Sequence, residues 1–402
     1  MTRRWELDAL RGLMLVLMAL THLPTRLSDP FGQPFGFVSA AEGFVFLSAY
    51  MAGEIYTRRH HREGEVEMKS AFWRRAFKLY VVQVALLVFA FSVIAIAGVL
   101  AHQPAVTDLL DFYLQRPFTA FAASLLLLYN PPLLDILPMY VMFMLLSPVV
   151  LLHGLRHGWT LLLCASIALW TLAQFGVGAS LHEAAVAWLA LPVPLRQTGA
   201  FDVFAWQFLW LLGLWMGSEG ARPSPPPRVF PRWLLQAATG YALLCFAWRH
   251  AVGQAPFPGD ATLNLLFDKW QLGPLRLLDF FALLVVVLHH GERLKAALPR
   301  PRPLETLGRA ALPVFCAHLV ATLLALAWAG TPTPERPWTI DAVVLLAGLL
   351  LMWLTAIVTR SLERPALAVR DRFSARRPTA SGARADRPGS EHPGAEHPGA
   401  RQ

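Results

Sequence analysis

Long apolar runs separated by short polar segments fill most of the chain, and their lengths predict membrane-spanning helices. A spanning helix needs about 20 mostly apolar residues. The pattern therefore predicts an all-α polytopic membrane protein with about ten transmembrane helices. We expect these helices over residues 5–24, 36–57, 79–101, 136–153, 159–181, 203–218, 233–250, 274–289, 310–329 and 342–358.

Two further segments depart from this pattern. The apolar run over 118–129 is too short to cross a hydrocarbon core of about 30 Å, and it stops at Asn130, Pro131 and Pro132. We expect it to form a re-entrant or interfacial helix. The basic stretch SAFWRRAFKLY, which follows the second span, predicts an interfacial helix.

Composition and charge support a membrane location. Of the 402 residues, 55% are hydrophobic and 15% are charged, whereas soluble domains carry about 25% charged residues. If the N-terminus is cytoplasmic, 27 of the 35 Lys and Arg residues fall in cytoplasmic segments, as the positive-inside rule requires. We therefore expect both termini in the cytoplasm. This topology explains the net charge of +9, so no nucleic-acid partner is expected.

The C-terminal residues have a different composition. Beyond Phe373 the chain is rich in Arg, Pro, Gly and Ser and repeats EHPGA twice. Such a segment cannot bury a core and is predicted to be disordered. The chain thus divides into a transmembrane domain over 1–373 and a disordered cytoplasmic tail over 374–402.

The three cysteines do not show the spacing of a metal site or a disulfide framework. Cys164, Cys245 and Cys316 all fall inside apolar runs, without a CxxC pattern, and are expected to act as small hydrophobic residues. No metal site and no tightly bound cofactor is predicted.

The first helix carries the charges that invite a functional explanation. Arg11 and His22 have ten residues between them, which places them within about 20° of the same helix face and about 16 Å apart. Asp8 continues that stripe. Ionisable groups inside a membrane cost several kcal/mol and mark functional sites by default. The alternative is an ion pair of Asp8 with Arg11 at headgroup level, with His22 in the opposite interface.

A carboxylate in the second helix lies at a similar depth to His22. The second helix returns from the outer side, so Glu42 enters the membrane close to the level of His22. A carboxylate beside an imidazole stabilises the imidazolium that a general base forms. We therefore predict a catalytic pair of His22 and Glu42. The alternative is a structural ion pair of Glu42 with Arg276 or Lys269.

A basic cluster over 58–78 has two explanations. The positive-inside rule and anionic lipid headgroups account for it without any ligand. It can also bind a phosphate-rich cytosolic molecule such as coenzyme A. Arg74 and Lys78, four residues apart, share a helix face, and Arg75 lies between them.

Several stretches together resemble a known family. The Arg11 and His22 spacing resembles the signature of the type-three membrane acyltransferases. The segments RRWELDALRGLMLVLMALTH, SAAEGFVFLSAYMAGEIY, NPPLLDILPMY, KWQLGPLRLLDF and LGRAALPVFCAHL are more closely similar to OpgC-type succinyltransferases of osmoregulated periplasmic glucans. The resemblance covers roughly residues 3–320. Ala49 departs from it, since a glycine is expected there.

The resemblance implies an enzyme of the bacterial inner membrane. It would move an acyl group, most simply succinyl, from cytosolic acyl-CoA to a hydroxyl of a periplasmic glucan. His22 would be the base and Glu42 its partner. Donor-binding residues are expected among the charged residues of the first helix and the basic cluster: Asp8, Arg11, Arg74, Arg75 and Lys78. Oxyanion or substrate contacts are expected from the polar residues of later spans: Arg276, Asp279 and His318.

Two other classes of protein are compatible with the residues. A transporter or exporter of a glycan or small anionic solute also needs buried charges, but the chain shows no convincing internal repeat of the kind that transporters carry. A structural or sensory membrane protein would need neither a pocket nor an acid–base pair. The acyl group, the acceptor glycan and the oligomeric state are left open.

Overall fold

The computed structural model describes residues 4–223 and 229–375, with side chains described as far as residue 362. Helices hold most of these residues, and no strand occurs within the described ranges. The predicted all-α fold is therefore confirmed for this part of the chain. Residues up to Ile357 form one compact unit, and Val358 begins a second. The predicted tail over 374–402 lies almost wholly outside the described residues.

All ten predicted spans lie mainly in helical residues. The first nine α-helices of the described chain are α1 (Trp5–His22), α2 (Ser28–Gly32), α3 (Ala40–Glu63), α4 (Glu65–Phe89), α5 (Ala95–Leu100), α6 (Pro104–Thr107), α7 (Asp111–Gln115), α8 (Pro117–Leu125) and α9 (Ile136–His157). The next nine are α10 (Thr160–Gln174), α11 (Val177–Leu189), α12 (Val203–Gly220), α13 (Arg232–Val252), α14 (Ala261–Asn264), α15 (Pro274–Ala297), α16 (Arg302–Arg309), α17 (Ala311–Ala329) and α18 (Trp338–Ala375).

Five helices in the described residues have the length and apolarity that a membrane crossing needs. They are the continuous helix Glu65–Leu100, α9, α15, α17 and the Trp338–Leu362 part of α18. The pair α10 and α11 makes a sixth if a broken helix counts as one span. The chain is thus a multi-pass membrane protein. Among the remaining predicted spans, α1 carries three charged residues, Glu6, Asp8 and Arg11, within its 18 residues. Ten spans and cytoplasmic termini stay predictions.

The third predicted span begins earlier than the sequence suggested. We predict an interfacial helix over 70–80 and a separate span from residue 79, but one helix runs over Glu65–Leu100, through α4, a π-helical turn and α5. Gly64, with φ of 88°, separates it from α3. No glycine or proline follows until Gly98. The basic cluster is therefore divided between α3 and the first half of a long continuous helix.

The fifth predicted span is broken. α10 and α11 meet at a bend of 74°. Gly176 lies at this bend with φ of 77°, a conformation that glycine adopts at no steric cost. The two short helices therefore replace the single span predicted over 159–181.

The short apolar run over 118–129 forms α8, a helix of 9 residues. The chain then leaves helical geometry, and the Asn130 backbone N–H donates to the Gln197 carbonyl at 3.0 Å. A re-entrant or interfacial position for α8 stays a prediction.

Close packing against α16 fixes α1. The sequence predicts a loop over 290–309, but the end of α15 and all of α16 lie there. A Cβ atom at Gly12 would lie 1.9 Å from the Leu304 carbonyl oxygen, and one at Gly308 would lie 1.7 Å from the Asp8 carbonyl oxygen. Only glycine permits two backbones to approach this closely. α1 also contacts α2, α3 and α17, so four helices hold it in place.

Candidate functional site

His22, the last residue of α1, forms a pair with His318 of α17. The two ring nitrogens, His22 Nδ1 and His318 Nε2, are 3.1 Å apart, and the rings stack with their centroids 5.4 Å apart. His318 is fully buried, whereas His22 is half-buried. The pairing leaves His22 Nε2 as the ring nitrogen that can meet a ligand.

The bond between the two histidines constrains their protons. A neutral imidazole carries one N–H and one lone pair, so one of the facing nitrogens donates and the other accepts. If His22 Nδ1 donates to His318 Nε2, then His22 Nε2 keeps a lone pair and can accept a proton. The imidazolium that forms keeps its bond to His318. His318 thus takes the position beside His22 that the sequence assigned to Glu42.

Glu42 is fully buried and bonds to Arg276 rather than to His22. Its Oε1 accepts from Arg276 Nε. Its Oε2 accepts the Ser39 backbone N–H at 3.1 Å and the Ser39 hydroxyl at 2.5 Å, and the two residues form a capping box at the start of α3. Within the described chain, no hydrogen bond joins Glu42 to His22. The structure therefore has the ion pair that the sequence left as an alternative, and a catalytic role for Glu42 stays a prediction.

Arg276 and Lys269 add positive charge beside Glu42. Arg276 is fully buried in the first turn of α15 and also donates to the Phe267 carbonyl at 3.4 Å. Its remaining nitrogen, Nη2, has no hydrogen-bond partner among the described residues. Lys269 lies in the preceding loop, close enough to Glu42 and Arg276 for their charges to interact, and burial lowers its pKa. Its charge also reaches His22.

Asp279 has a separate contact. Its Oδ2 accepts the backbone N–H of Phe37 at 2.8 Å, next to Gly36, which has φ of 117°. Asp279 thus fixes the chain that leads into α3. A direct substrate contact by Asp279 stays a prediction.

Arg11, which was predicted to share a face of α1 with His22, lines a cavity of about 280 Å³. Arg11 from α1 and Arg75 from α4 both line it, so two guanidinium groups from distant parts of the sequence meet one space. Arg11 donates to the sulfur of Met51 at 3.5 Å and lies 5.9 Å from the ring centroid of Phe44. The cavity therefore offers positive charge in apolar surroundings.

Two buried hydroxyl groups line the same cavity. The side chains of Ser48 and Tyr140 face it from α3 and α9. The two hydroxyls lie close enough to interact with each other, and neither bonds to any other group among the described residues. Buried polar groups in native proteins are nearly always satisfied, so a ligand in the cavity could take up the hydrogen-bonding capacity that this pair leaves open.

The predicted basic trio separates in the structure. Arg75 lines the cavity, whereas Arg74 and Lys78 are exposed on another face of α4. Arg74 donates to the Ser70 hydroxyl one turn away. The structure thus brings only one of the three basic residues to Arg11.

Asp8 lies against α16 and does not line the cavity. It is fully buried, and its Oδ2 lies 3.6 Å from Arg309 Nε. Asp8 and Arg11 lie only about 60° apart around the helix axis, and the contact with Arg309 sets the Asp8 carboxylate against α16. Asp8 therefore has a structural contact where the sequence predicted donor binding.

Phe315 connects the cavity to the histidine pair. Its side chain lines the cavity, its ring stacks on Phe44 with centroids 6.0 Å apart, and it meets the His318 ring edge-on at 4.9 Å. A ligand that extends from Arg11 towards His22 would meet these aromatic rings first.

Similarity to known proteins defines the class of chemistry. The profile of the family described as OpgC protein matches residues 3–364, which is nearly the whole chain. The chain belongs to the OpgC family. Membership of the OpgC family implies a transferase that acts on glucans. No curated protein and no solved structure shows significant similarity to the chain.

The sequence analysis missed some of these residues. Ser39 was detectable, because Ser-x-x-Glu before an apolar run is the signature of a capping box. Ser48 and Tyr140 gave no signal, since a single hydroxyl in an apolar helix is common. Their importance depends on the cavity, which only tertiary packing creates.

Proposed function

We propose that the protein transfers an acyl group from acyl-CoA in the cytoplasm to a hydroxyl group of a periplasmic glucan, with His22 as general base. The observation that carries the proposal is the arrangement along α1. Arg11 lines a cavity with Arg75, and a half-buried His22 is bonded to His318 at the other end. The OpgC family supplies the transferase class and the glucan.

The chemistry requires one proton acceptor and one oxyanion donor. The glucan hydroxyl oxygen attacks the thioester carbonyl carbon while His22 Nε2 takes the hydroxyl proton. The carbon–sulfur bond breaks, the ester forms, and the coenzyme A thiolate leaves and takes the proton from His22. Arg276 Nη2, a buried donor without a partner in the described chain, is the candidate to stabilise the oxyanion.

The donor would enter from the side of the basic cluster. Arg75 and Arg11 would attract the coenzyme A phosphates and the polar groups of its arm, and the Ser48 and Tyr140 hydroxyls would bond the amides of that arm. Succinyl suits the other end, because its free carboxylate needs a cation near His22. Lys269 supplies one, since its charge reaches His22.

The distribution of basic residues supports the orientation. With 27 of 35 Lys and Arg residues on the side of the termini, that side is cytoplasmic by the positive-inside rule. His22 then lies near the outer face of the inner membrane of a bacterium, where periplasmic glucans are accessible.

The test uses purified protein in proteoliposomes with succinyl-CoA on the cytoplasmic side and glucans, extracted from cells that lack the gene, on the other. Mass spectrometry of the glucans should show a succinyl increment that depends on the protein. Acetyl-CoA in parallel tests the choice of acyl group. His250→Ala, an exposed histidine of α13, is the matched control for His22→Ala and should retain transfer.

The result that contradicts the proposal is equally clear. Glucans that cross the membrane without any acyl increment, with succinyl-CoA intact, would identify an exporter. Equal transfer by the His22→Ala and wild-type proteins would remove His22 from the mechanism.

A further inference from the structure

A second cavity, of about 700 Å³, lies between α11, the starts of α9 and α12, and the loop before α15. We infer that this cavity binds a sugar unit of the acceptor, that is, a neutral ring bearing several hydroxyl groups. The inference rests on the proposed function and names the part of the protein that holds its acceptor. The residues that carry it are Asn130, Asp135, Asp202, Asp268, Phe201 and Trp270.

Three aspartates line the cavity with their carboxylates fixed in the same manner. Each accepts a backbone N–H at one oxygen: Asp135 from Ala200 at 2.9 Å, Asp202 from Phe204 at 2.8 Å and Asp268 from Gln271 at 2.7 Å. The second oxygens of Asp202 and Asp268 have no hydrogen-bond partner within the described residues. These oxygens are acceptors, and sugar hydroxyls are donors of the right kind for them.

Asn130 and Asp135 make the polar end of the cavity a built site. Both are more than nine-tenths buried, with exposures of 6% and 8%. The Asn130 Oδ1 atom has no hydrogen-bond partner in the described chain, although its Nδ2 donates to the Thr198 carbonyl at 2.8 Å. Gly199, with φ of 104°, packs against the side chains of both residues. A buried acceptor that stays open in this way, as Asn130 Oδ1 does, indicates a missing donor.

Aromatic rings supply the apolar surface that the C–H face of a pyranose ring prefers. Trp270 is 40% exposed, and its ring meets that of Phe201 edge-on at 5.3 Å. The Trp270 carbonyl accepts from Trp206 Nε1 at 2.9 Å, so the backbone that presents the indole is fixed. Pockets of this kind combine apolar walls with a few placed polar groups.

Other ligand classes fit the cavity less well. The three carboxylates outnumber the one arginine of the lining, Arg196, so the cavity as a whole repels a phosphate or another anion, which argues against a phospholipid headgroup. A metal ion needs converging ligands, and no group of three or more His, Cys, Asp or Glu side chains in the described residues is placed to hold one. A neutral molecule that donates hydrogen bonds remains.

The loop before α15 joins this cavity to the histidine pair. Asp268 and Trp270 line the cavity, and Lys269 between them interacts electrostatically with Asp135 and with His22. The Lys269 ammonium lies 4.6 Å from the centroid of the Trp270 ring, so a sugar beside Trp270 would lie close to the residue whose charge acts on His22.

The test is direct binding of glucose trisaccharides of differing linkage to full-length protein in lipid nanodiscs, which avoids glycosidic detergents. Wild-type protein should bind at least one of them. Asp135→Asn, which can still accept the Ala200 N–H, and Trp270→Ala should each weaken binding at least tenfold. The matched controls Asp260→Asn and Trp188→Ala, which lie outside the cavity, should bind as the wild type does.

Three outcomes overturn the inference. They are no trisaccharide binding by the wild type, wild-type affinity in both cavity variants, and loss of bound phospholipid rather than trisaccharide from the variants. The readout also separates the two proposals. His22→Ala should still bind the trisaccharide. Binding without any acyl transfer would keep the cavity assignment and reject the proposed function. If the cavity variants transfer the acyl group with the acceptor KM of the wild type, the proposed function is kept and the cavity assignment is rejected.

Discussion

Removal of one member of the Glu42–Arg276 pair should destabilise the protein strongly. Both side chains are 1% exposed, and breaking a buried pair from one side costs about 3–5 kcal/mol because a charge is left uncompensated. Glu42→Gln can keep the capping box, in which Gln replaces Glu, so its effect isolates the loss of charge.

The two single variants should differ in how much they lower the free energy of unfolding. Glu42→Gln leaves Arg276 and Lys269 as neighbouring cations, so we expect a cost near the top of the range, about 5 kcal/mol. Arg276→Met leaves Glu42 with Lys269 still within electrostatic reach, so we expect about 3 kcal/mol. The double variant carries neither charge and should cost less than either single change, since paired charges can be replaced by apolar groups at little loss.

The assay is reversible unfolding in mixed micelles of increasing SDS content, followed by far-UV circular dichroism. Ser39→Ala is the control for the cap alone and should cost about 1 kcal/mol. Two results would refute the reasoning: a cost below about 1 kcal/mol for Glu42→Gln, or a double variant whose cost equals the sum of the single ones.

Three further changes test other parts of the structure. Gly308→Ala places a Cβ atom 1.7 Å from a backbone oxygen and should sharply reduce the folded yield in size-exclusion chromatography, whereas Gly240→Ala, with open space around it, should not; equal yields would contradict the packing. Arg75→Gln should raise the KM for acyl-CoA at least tenfold while Arg74→Gln, exposed on α4, leaves it nearly unchanged, and the opposite order would place the donor elsewhere. His318→Ala should lower kcat without changing the donor KM, and His318→Gln, which offers an acceptor oxygen, should restore part of the rate; no rescue would argue against the bond to the base.

The helices could be predicted because apolar length is a local property. α9, α15 and α17 begin within a residue of the predicted starts. The continuous helix Glu65–Leu100 was predicted as two separate helices because Arg74, Arg75 and Lys78 were taken as a boundary, although charged residues continue a helix that has no glycine or proline to stop it. The bend at Gly176 was missed because an isolated glycine in an apolar run gives only a weak signal.

Individual residues of the site could be predicted from the sequence, but the contacts between them could not. The spacing of Arg11 and His22 follows from helix geometry, and α1 is continuous through both. Which partner each would find depends on how α1, α3, α15 and α17 pack, and a single sequence does not encode that in any local pattern. The sequence therefore left several possible partners for Glu42. It marked His318 only as a polar residue in an apolar helix.

The packing of α16 against α1 could not be predicted from the sequence either. Its contact with α1 depends on Gly12 and Gly308, each of which lies where a side chain would strike the other backbone. Small residues on facing helices are a known device for close membrane packing, but the sequence does not show which two glycines meet. The resemblance to the OpgC-type proteins is confirmed, and it gave the class of reaction that geometry alone would not have given.

The decisive measurement is the rate of acyl transfer from acyl-CoA to glucan by the His22→Ala protein, compared with wild type at equal amounts of correctly inserted protein. Loss of a general base should lower the rate by about 10²–10⁴-fold, while the affinity for acyl-CoA stays close to that of the wild type. A transfer rate within a few-fold of the wild type would contradict the assignment of His22 as the base.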